Sequence, residues 1–216
     1  MKEAYFQPGT IGPLSAHWLE KYARPRKAGL QPFRLQQAAL LILDMQDYFL
    51  DPGSHAYVPS GPAILPVLGR AIHAFRSAER PVLATRHATS EKQPGRMGSW
   101  WSELLTPDHP QGGLHPGLDI EPDEIILKPQ YDAFYQSRLE STLAAAGVEQ
   151  LVIGGVMAHL CCETTARSAF VRGYEVFFLI DGTATYQADF HTGTLRNLAH
   201  GFAVCTTVEQ LLGESA

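Results

Sequence analysis

The chain has 216 residues, 45% of them hydrophobic and 18% charged, which suits one large soluble domain with a substantial core. Seventeen basic residues against 22 acidic ones give a formal charge of −5, and the bases are scattered apart from the stretch Lys21 to Lys27, so nucleic acid is not an expected partner. No apolar run reaches the roughly 20 residues of a membrane helix, so no membrane partner is expected, and three cysteines, two of them adjacent, point to free thiols in a reducing compartment.

The opening run Met1-Lys2-Glu3-Ala4-Tyr5-Phe6 lacks the basic start, apolar stretch and small-residue site of a secretory signal, so a cytoplasmic address is expected. Residues 1–35, with four prolines and one short helical stretch at 14–22, read as an N-terminal arm laid on a single domain at 36–216. From Ala38 onward, apolar runs of strand length alternate with segments of helical spacing, the signature of a parallel sheet with crossover helices. Strands are expected at 39–43, 81–85, 124–127, 150–154, 175–180 and 203–206, and helices at 61–78, 133–146, 161–172 and 189–200. Gly147 and Gly173 stand just past two of these helices, where left-handed caps form. The strands are continuous apolar runs, so helices should cover both faces, giving a three-layer α/β/α domain. In open sheets of this kind ligands bind beyond the carboxyl ends of the strands.

Three chemically active side chains fall at such ends. Asp44 follows Ala38-Ala39-Leu40-Leu41-Ile42-Leu43, Lys128 follows Glu124-Ile125-Ile126-Leu127, and Cys161 comes just after Leu151-Val152-Ile153-Gly154-Gly155-Val156 and opens the next helix. A cationic amine and a helix N-terminus both favour the thiolate over the thiol, a carboxylate can relay the proton, and backbone N–H groups beginning the helix can hold an oxyanion. Taken singly, each residue has a plainer role: a buried cysteine usually packs, an Asp after a strand often caps a turn, and a Lys is usually solvated.

Longer motifs surround all three. The run Leu40-Leu41-Ile42-Leu43-Asp44-Met45-Gln46-Asp47-Tyr48-Phe49, the stretch Lys128-Pro129-Gln130-Tyr131-Asp132-Ala133-Phe134 and the turn Gly155-Val156-Met157-Ala158-His159-Leu160-Cys161-Cys162-Glu163-Thr164-Thr165-Ala166 together resemble the motifs of the isochorismatase-like cysteine hydrolases, in that family's order. The resemblance spans about residues 36–208 and implies a Rossmann-like sheet of six parallel strands, homodimers or homotetramers, and no organic cofactor. It assigns Asp44 as acid–base, Lys128 as the cation beside thiolate and oxyanion, and Cys161 as nucleophile. It also implies a cis peptide at Val156–Met157, with an oxyanion site in the backbone of Val156, Met157 and Cys161.

Departures from the resemblance narrow the chemistry. Nicotinamidase-type members carry an Asp-x-His and a further His as a metal site, whereas Pro52-Gly53-Ser54-His55-Ala56-Tyr57 and Thr85-Arg86-His87-Ala88-Thr89 offer isolated histidines that read as surface residues, so no metal is expected. Isochorismatases characteristically have Gly at the position of Cys161, so its retention favours covalent cleavage of a small amide or related C–N bond. Vinyl-ether hydrolysis by Asp44 alone, or a catalytically silent interaction domain, are the alternatives. For substrate binding the candidates are Gln46 and Tyr131 beside Asp44 and Lys128, Phe49 and Phe134 as pocket floor, Trp100 and Trp101 as a flat wall, and His159 for a polar substrate group.

Overall fold

The protein is described by a computed structural model covering residues 2–22 and 31–213. Most of the basic stretch Lys21 to Lys27 therefore lies outside the described residues. Six strands form one all-parallel sheet: β1 Ala38–Leu43, β2 Val82–His87, β3 Ile125–Lys128, β4 Gln150–Val156, β5 Glu175–Ala184 and β6 Val204–Thr206, in the order β3-β2-β1-β4-β5-β6. Every residue of β1 and β4 is buried, as continuous apolar sequence requires of a sheet covered on both faces. The helices are α1 Ile11–Tyr22, α2 Asp47–Leu50, α3 Gly61–Ser77, α4 Met97–Trp100, α5 Leu139–Ala145, α6 Glu163–Val171, α7 Ala188–Gly201 and α8 Val208–Gly213.

The chain steps from β1 outward through β2 to β3, then returns to pair β4 with β1 and steps the other way through β5 to β6. Right-handed crossovers in opposite directions place their helices on opposite faces, and the reversal opens a crevice above the carboxyl ends of β1 and β4. Asp44 and Cys161 follow those two strands. One glycine makes the junction possible: Gly155 has φ +107°, and a Cβ there would lie 2.1 Å from the Leu43 carbonyl oxygen.

Three of the differences between sequence and structure bear on the site. The helix expected at 133–146 begins only at Leu139, because side chains hold the preceding stretch in turns. The Asp132 carboxylate accepts from the Phe134 N–H at 2.9 Å and the Ser168 hydroxyl at 2.7 Å, Thr165 Oγ1 accepts from the Ala133 N–H at 3.0 Å, and Gln136 has φ +50°. The helix expected to open at Cys161 is instead a π-helical turn, Ala158–Cys162, that runs into α6. Strand β5 continues to Ala184 after its register with β4 shifts between Ile153 and Gly155, and there Thr183 Oγ1 donates to the Leu179 carbonyl at 2.8 Å.

Gly147 and Gly173 do take positive φ past α5 and α6. The N-terminal residues join the main core: Phe6 and Trp18 are buried there, packed edge-on against His191 of α7. His191 also faces the Tyr5 hydroxyl at 3.0 Å and the Thr183 hydroxyl at 3.0 Å, and burial lowers its pKa to about 3, so it packs as a neutral ring.

Candidate active site

Asp44 leaves β1 with φ +50°, which turns its side chain back over the sheet end. Thr85, one position beyond the Ile42–Ala84 pairing, holds it twice: its hydroxyl accepts the Asp44 N–H at 3.1 Å and donates to Oδ1 at 2.6 Å. The other oxygen, Oδ2, lies 2.8 Å from Lys128 Nζ, and both side chains are wholly buried. Lys128 is the last residue of β3, two strands away, and reaches across the end of β2. Its ammonium also donates to the Gln130 carbonyl at 2.8 Å and to Cys161 Sγ at 3.3 Å. Burial opposes the charge on Lys128, but the Asp44 carboxylate and Cys161 more than offset it and its pKa is raised. The amine stays an ammonium.

Cys161 stands in the π-helical turn, after a cis peptide at Val156–Met157. The expectation that the neighbouring amine ionises this thiol is not met. Burial and then the Asp44 carboxylate push the Cys161 pKa up to about 12, outweighing Lys128, so the resting group is a neutral thiol against a carboxylate. A thiol in this setting can act as a nucleophile only with a base beside it, a part a carboxylate such as Asp44 can take. The N–H groups of Leu160 and Cys162 both point at the Met157 carbonyl, at 3.0 and 3.3 Å. Cys162 is fully buried, its sulfur 3.9 Å from the Gly154 carbonyl, on the packing side.

Cys161 opens on a cavity of about 280 Å³ whose wall is mainly apolar and aromatic, formed in part by Tyr48, Phe49, Met97, Trp101, Tyr131 and Leu160. Of the sequence candidates, Phe49, Trp101, Tyr131, Met157 and Cys161 line it. The others are elsewhere. Gln46 is a buried brace: its Oε1 accepts the His87 N–H at 2.8 Å and its Nε2 donates to the His87 and Gly112 carbonyls, tying the ends of β1 and β2 to the 107–118 loop. Trp100 points outward with 76% of its surface exposed. Phe134 stacks on Tyr174 beneath the Arg172 guanidinium. His159 stacks on Phe190 with its Nδ1 2.6 Å from the Thr185 hydroxyl. Val156 is buried as the last residue of β4.

Two residues read as surface from sequence belong to the wall. His87 is only 6% exposed, and burial, reinforced by Lys128, lowers its pKa to about 4, so it is neutral. His55, half-exposed, sits at the mouth with its Nδ1 2.7 Å from Glu103 Oε2 and its carbonyl accepting from Lys2. Thr85, Tyr48 and Tyr186 were missed as well; an isolated polar Thr in the apolar run of β2 was the one signal available for Thr85. The residues do not fit a nicotinamidase-type metal. The end of β2 supplies the single imidazole of His87, its Nε2 3.2 Å from the Thr89 hydroxyl, and among the described residues no group of three His, Cys, Asp or Glu side chains is arranged to hold a metal ion.

Comparison with known proteins identifies the family and the fold. The family model for the isochorismatase domain matches residues 38–210. Nicotinamidase 3 of Arabidopsis thaliana is 39% identical over 181 residues, covering 81% of this chain and 86% of the relative. Enterobactin synthase component B of Escherichia coli K12 is 30% identical over 203 residues, covering 90% of this chain and 71% of the relative. The crystal structure of a cysteine hydrolase from Pseudomonas syringae pv. phaseolicola superposes with a TM-score of 0.82 at 25% identity, covering 89% of this chain and 98% of that one.

Proposed function

Because the chain belongs to the isochorismatase family of hydrolases, we propose that it is a metal-independent cysteine hydrolase that cleaves the C–N bond of a small, uncharged amide through a thioester on Cys161. The observation that carries this reading is the buried contact of Lys128 Nζ with Asp44 at 2.8 Å and with Cys161 at 3.3 Å, Cys161 in turn lining an apolar cavity.

In the proposed reaction Sγ attacks the amide carbon while the thiol proton passes to Asp44 Oδ2. The N–H groups of Met157 and Cys161 receive the developing oxyanion, since the amides of Leu160 and Cys162 are already directed at a carbonyl. Collapse expels the amine, which takes the proton from Asp44 and leaves the acyl group on sulfur. Water then gives a proton to Asp44, attacks the thioester, and releases the acid with the thiol restored. Lys128 remains cationic throughout and offsets negative charge on whichever of Asp44 and Cys161 holds it.

The wall argues for an uncharged, flat substrate. Lys128 is committed to Asp44 behind the wall, Lys2 is a lining cation, and Glu103 adds a negative charge. Among the described residues a dianion such as isochorismate would find one lining ammonium, Lys2, offset by Glu103, and Cys161 is superfluous for ether cleavage. Aromatic amides of the kind suggested by the name of the Arabidopsis relative fit an aromatic slot of this size. The test is release of ammonia or amine from a panel of aromatic amides, small aliphatic amides and ureides, with isochorismate included. Activity on an amide that is abolished by Cys161→Ser and kept by Cys162→Ser supports the reading. Isochorismate cleavage that survives Cys161→Ser overturns it.

A further inference from the structure

A line of buried hydrogen bonds joins the N-terminal segment to the turn that holds Cys161, and its direction can be worked out. It starts inside β5, where Thr183 Oγ1 donates to the Leu179 carbonyl at 2.8 Å. That uses the hydroxyl's one proton, so in its 3.0 Å contact with His191 Nε2 it accepts, and Nε2 carries the hydrogen. His191 is a neutral ring, which leaves Nδ1 with a bare lone pair. The Tyr5 hydroxyl, 3.0 Å away, donates its proton there, and the phenol oxygen accepts the Thr185 N–H at 2.9 Å. Thr183, Thr185 and His191 are all wholly buried.

Thr185 carries the line on to the thiol. Its Oγ1 stands 2.6 Å from Nδ1 of His159, which belongs to the π-helical turn Ala158–Cys162, and the His159 ring lies flat on Phe190 of α7 with centroids 4.5 Å apart. Single π-helical turns are rare and often stand at functional sites. Here the bond to Thr185 and the stack on Phe190 set the turn against β5 and α7. Tyr5 itself precedes residue 38, where the match to the family model begins. Its segment is pinned on either side: the Glu3 N–H donates to the Tyr186 carbonyl at 2.9 Å, and the Phe6 N–H to Ser60 Oγ at 3.1 Å.

We propose that Tyr5 is a positioning residue for the catalytic thiol: through Thr185 it fixes the end of β5, against which His159 sets the turn that presents Cys161. Hydrogen bonds that run in one direction reinforce one another, so removing the phenol hydroxyl weakens the links beyond it. A nucleophile displaced by about 1 Å can lose about 100-fold in rate without any change in what binds. The N-terminal segment thereby becomes part of the machinery that aims Cys161. This rests on Cys161 as nucleophile, but half of its test needs no turnover.

The test uses the full-length protein and Tyr5→Phe, which keeps the ring and removes the hydroxyl. Neither Tyr5 nor Thr185 lines the cavity, so on an amide that the enzyme hydrolyses kcat should fall about tenfold with KM within about twofold. The second readout is alkylation by iodoacetamide at one fixed pH. A buried thiol reacts from opened states, so the rate at Cys161 relative to buried Cys205 of β6 reports the turn by itself, and Tyr5→Phe should raise that ratio at least about fivefold. Thr185→Val, which cuts the next link, should reproduce both effects, Thr185→Ser should recover most of the loss, and Tyr5→Phe with Thr185→Val should be no worse than either alone. The proposal is overturned if Tyr5→Phe leaves the alkylation ratio unchanged, if Cys161 and Cys205 speed up together as in plain destabilisation, if KM rises while kcat holds, or if the two substitutions add. A raised ratio in a protein whose unmodified form hydrolyses no amide would sink the proposed reaction and leave the positioning role standing.

Discussion

Replacing Lys128 by Met removes the charge that faces Asp44 and keeps most of the side-chain volume. At 2.8 Å two unit charges attract by about 6 kcal/mol at an effective dielectric constant of about 20, before desolvation is subtracted. Removing one partner of a buried pair leaves the other charge uncompensated, and the net loss of stability is about 3–5 kcal/mol. That is a large share of the roughly 5–15 kcal/mol that holds a domain of this kind folded. Asp44→Asn alone leaves an ammonium with the Gln130 carbonyl and a thiol, and it is destabilising for the same reason. The double variant has no unpaired charge, since the amide oxygen of the substituted asparagine can still accept the Thr85 hydroxyl, so the two losses should not add. Urea unfolding followed by circular dichroism on the four proteins closes the cycle, with an expected coupling of at least about 2 kcal/mol. Additivity to within about 0.5 kcal/mol would refute the claim that these two charges meet in a dry site.

The Cys161 thiol, pushed up to about 12, should react with iodoacetamide slowly at pH 7 and ever faster as pH rises, with no plateau below about pH 10, read by peptide mass spectrometry. Because that pKa is raised in the folded state, the thiol's contribution to stability is complete below the ordinary cysteine range and is lost as pH climbs toward 12; midpoint denaturant concentrations should fall across that alkaline window and not between pH 6 and 8. Thr85→Val deletes both bonds to Asp44 with little change of shape, and it should lower kcat more than it raises KM and reduce stability by about 1–3 kcal/mol. Gly155→Ala forces a Cβ onto the Leu43 carbonyl, so soluble yield and thermal midpoint should both drop sharply. Trp100→Ala should leave KM within about twofold, since single exposed apolar side chains contribute little, whereas Trp101→Ala should raise it.

Much of the scaffold was legible because it rests on local patterns. A short continuous apolar run such as Ala38 to Leu43 fits a strand buried on both faces, and six such runs separated by helical segments point to a covered parallel sheet with Asp44 at one carboxyl edge. What escaped was set by contacts distant in sequence. The turn at 129–138 carries helix-forming residues, yet Thr165 and Ser168, more than 30 positions away, capture its backbone and its Asp132. His87 looks like a surface histidine until Gln46 and the 107–118 loop close over it. Gln46 and Phe134 sit in motif positions beside the reactive residues, but their side chains serve packing and bracing, because adjacency in a motif does not say which way a side chain turns. The thiol's ionisation went wrong for a related reason: the count of nearby charges was readable, while the depth of burial that outweighs the ammonium was not.

The central claim, that Cys161 carries the acyl group, is tested most directly by mixing enzyme with an amide it hydrolyses, quenching in acid within the first turnover, and weighing the intact protein. A mass increase equal to the acyl group, localised by digestion to Cys161 and absent from Cys161→Ala, is the predicted result. Full turnover by Cys161→Ala, or a quenched wild-type protein that never gains that mass while product accumulates, would contradict it.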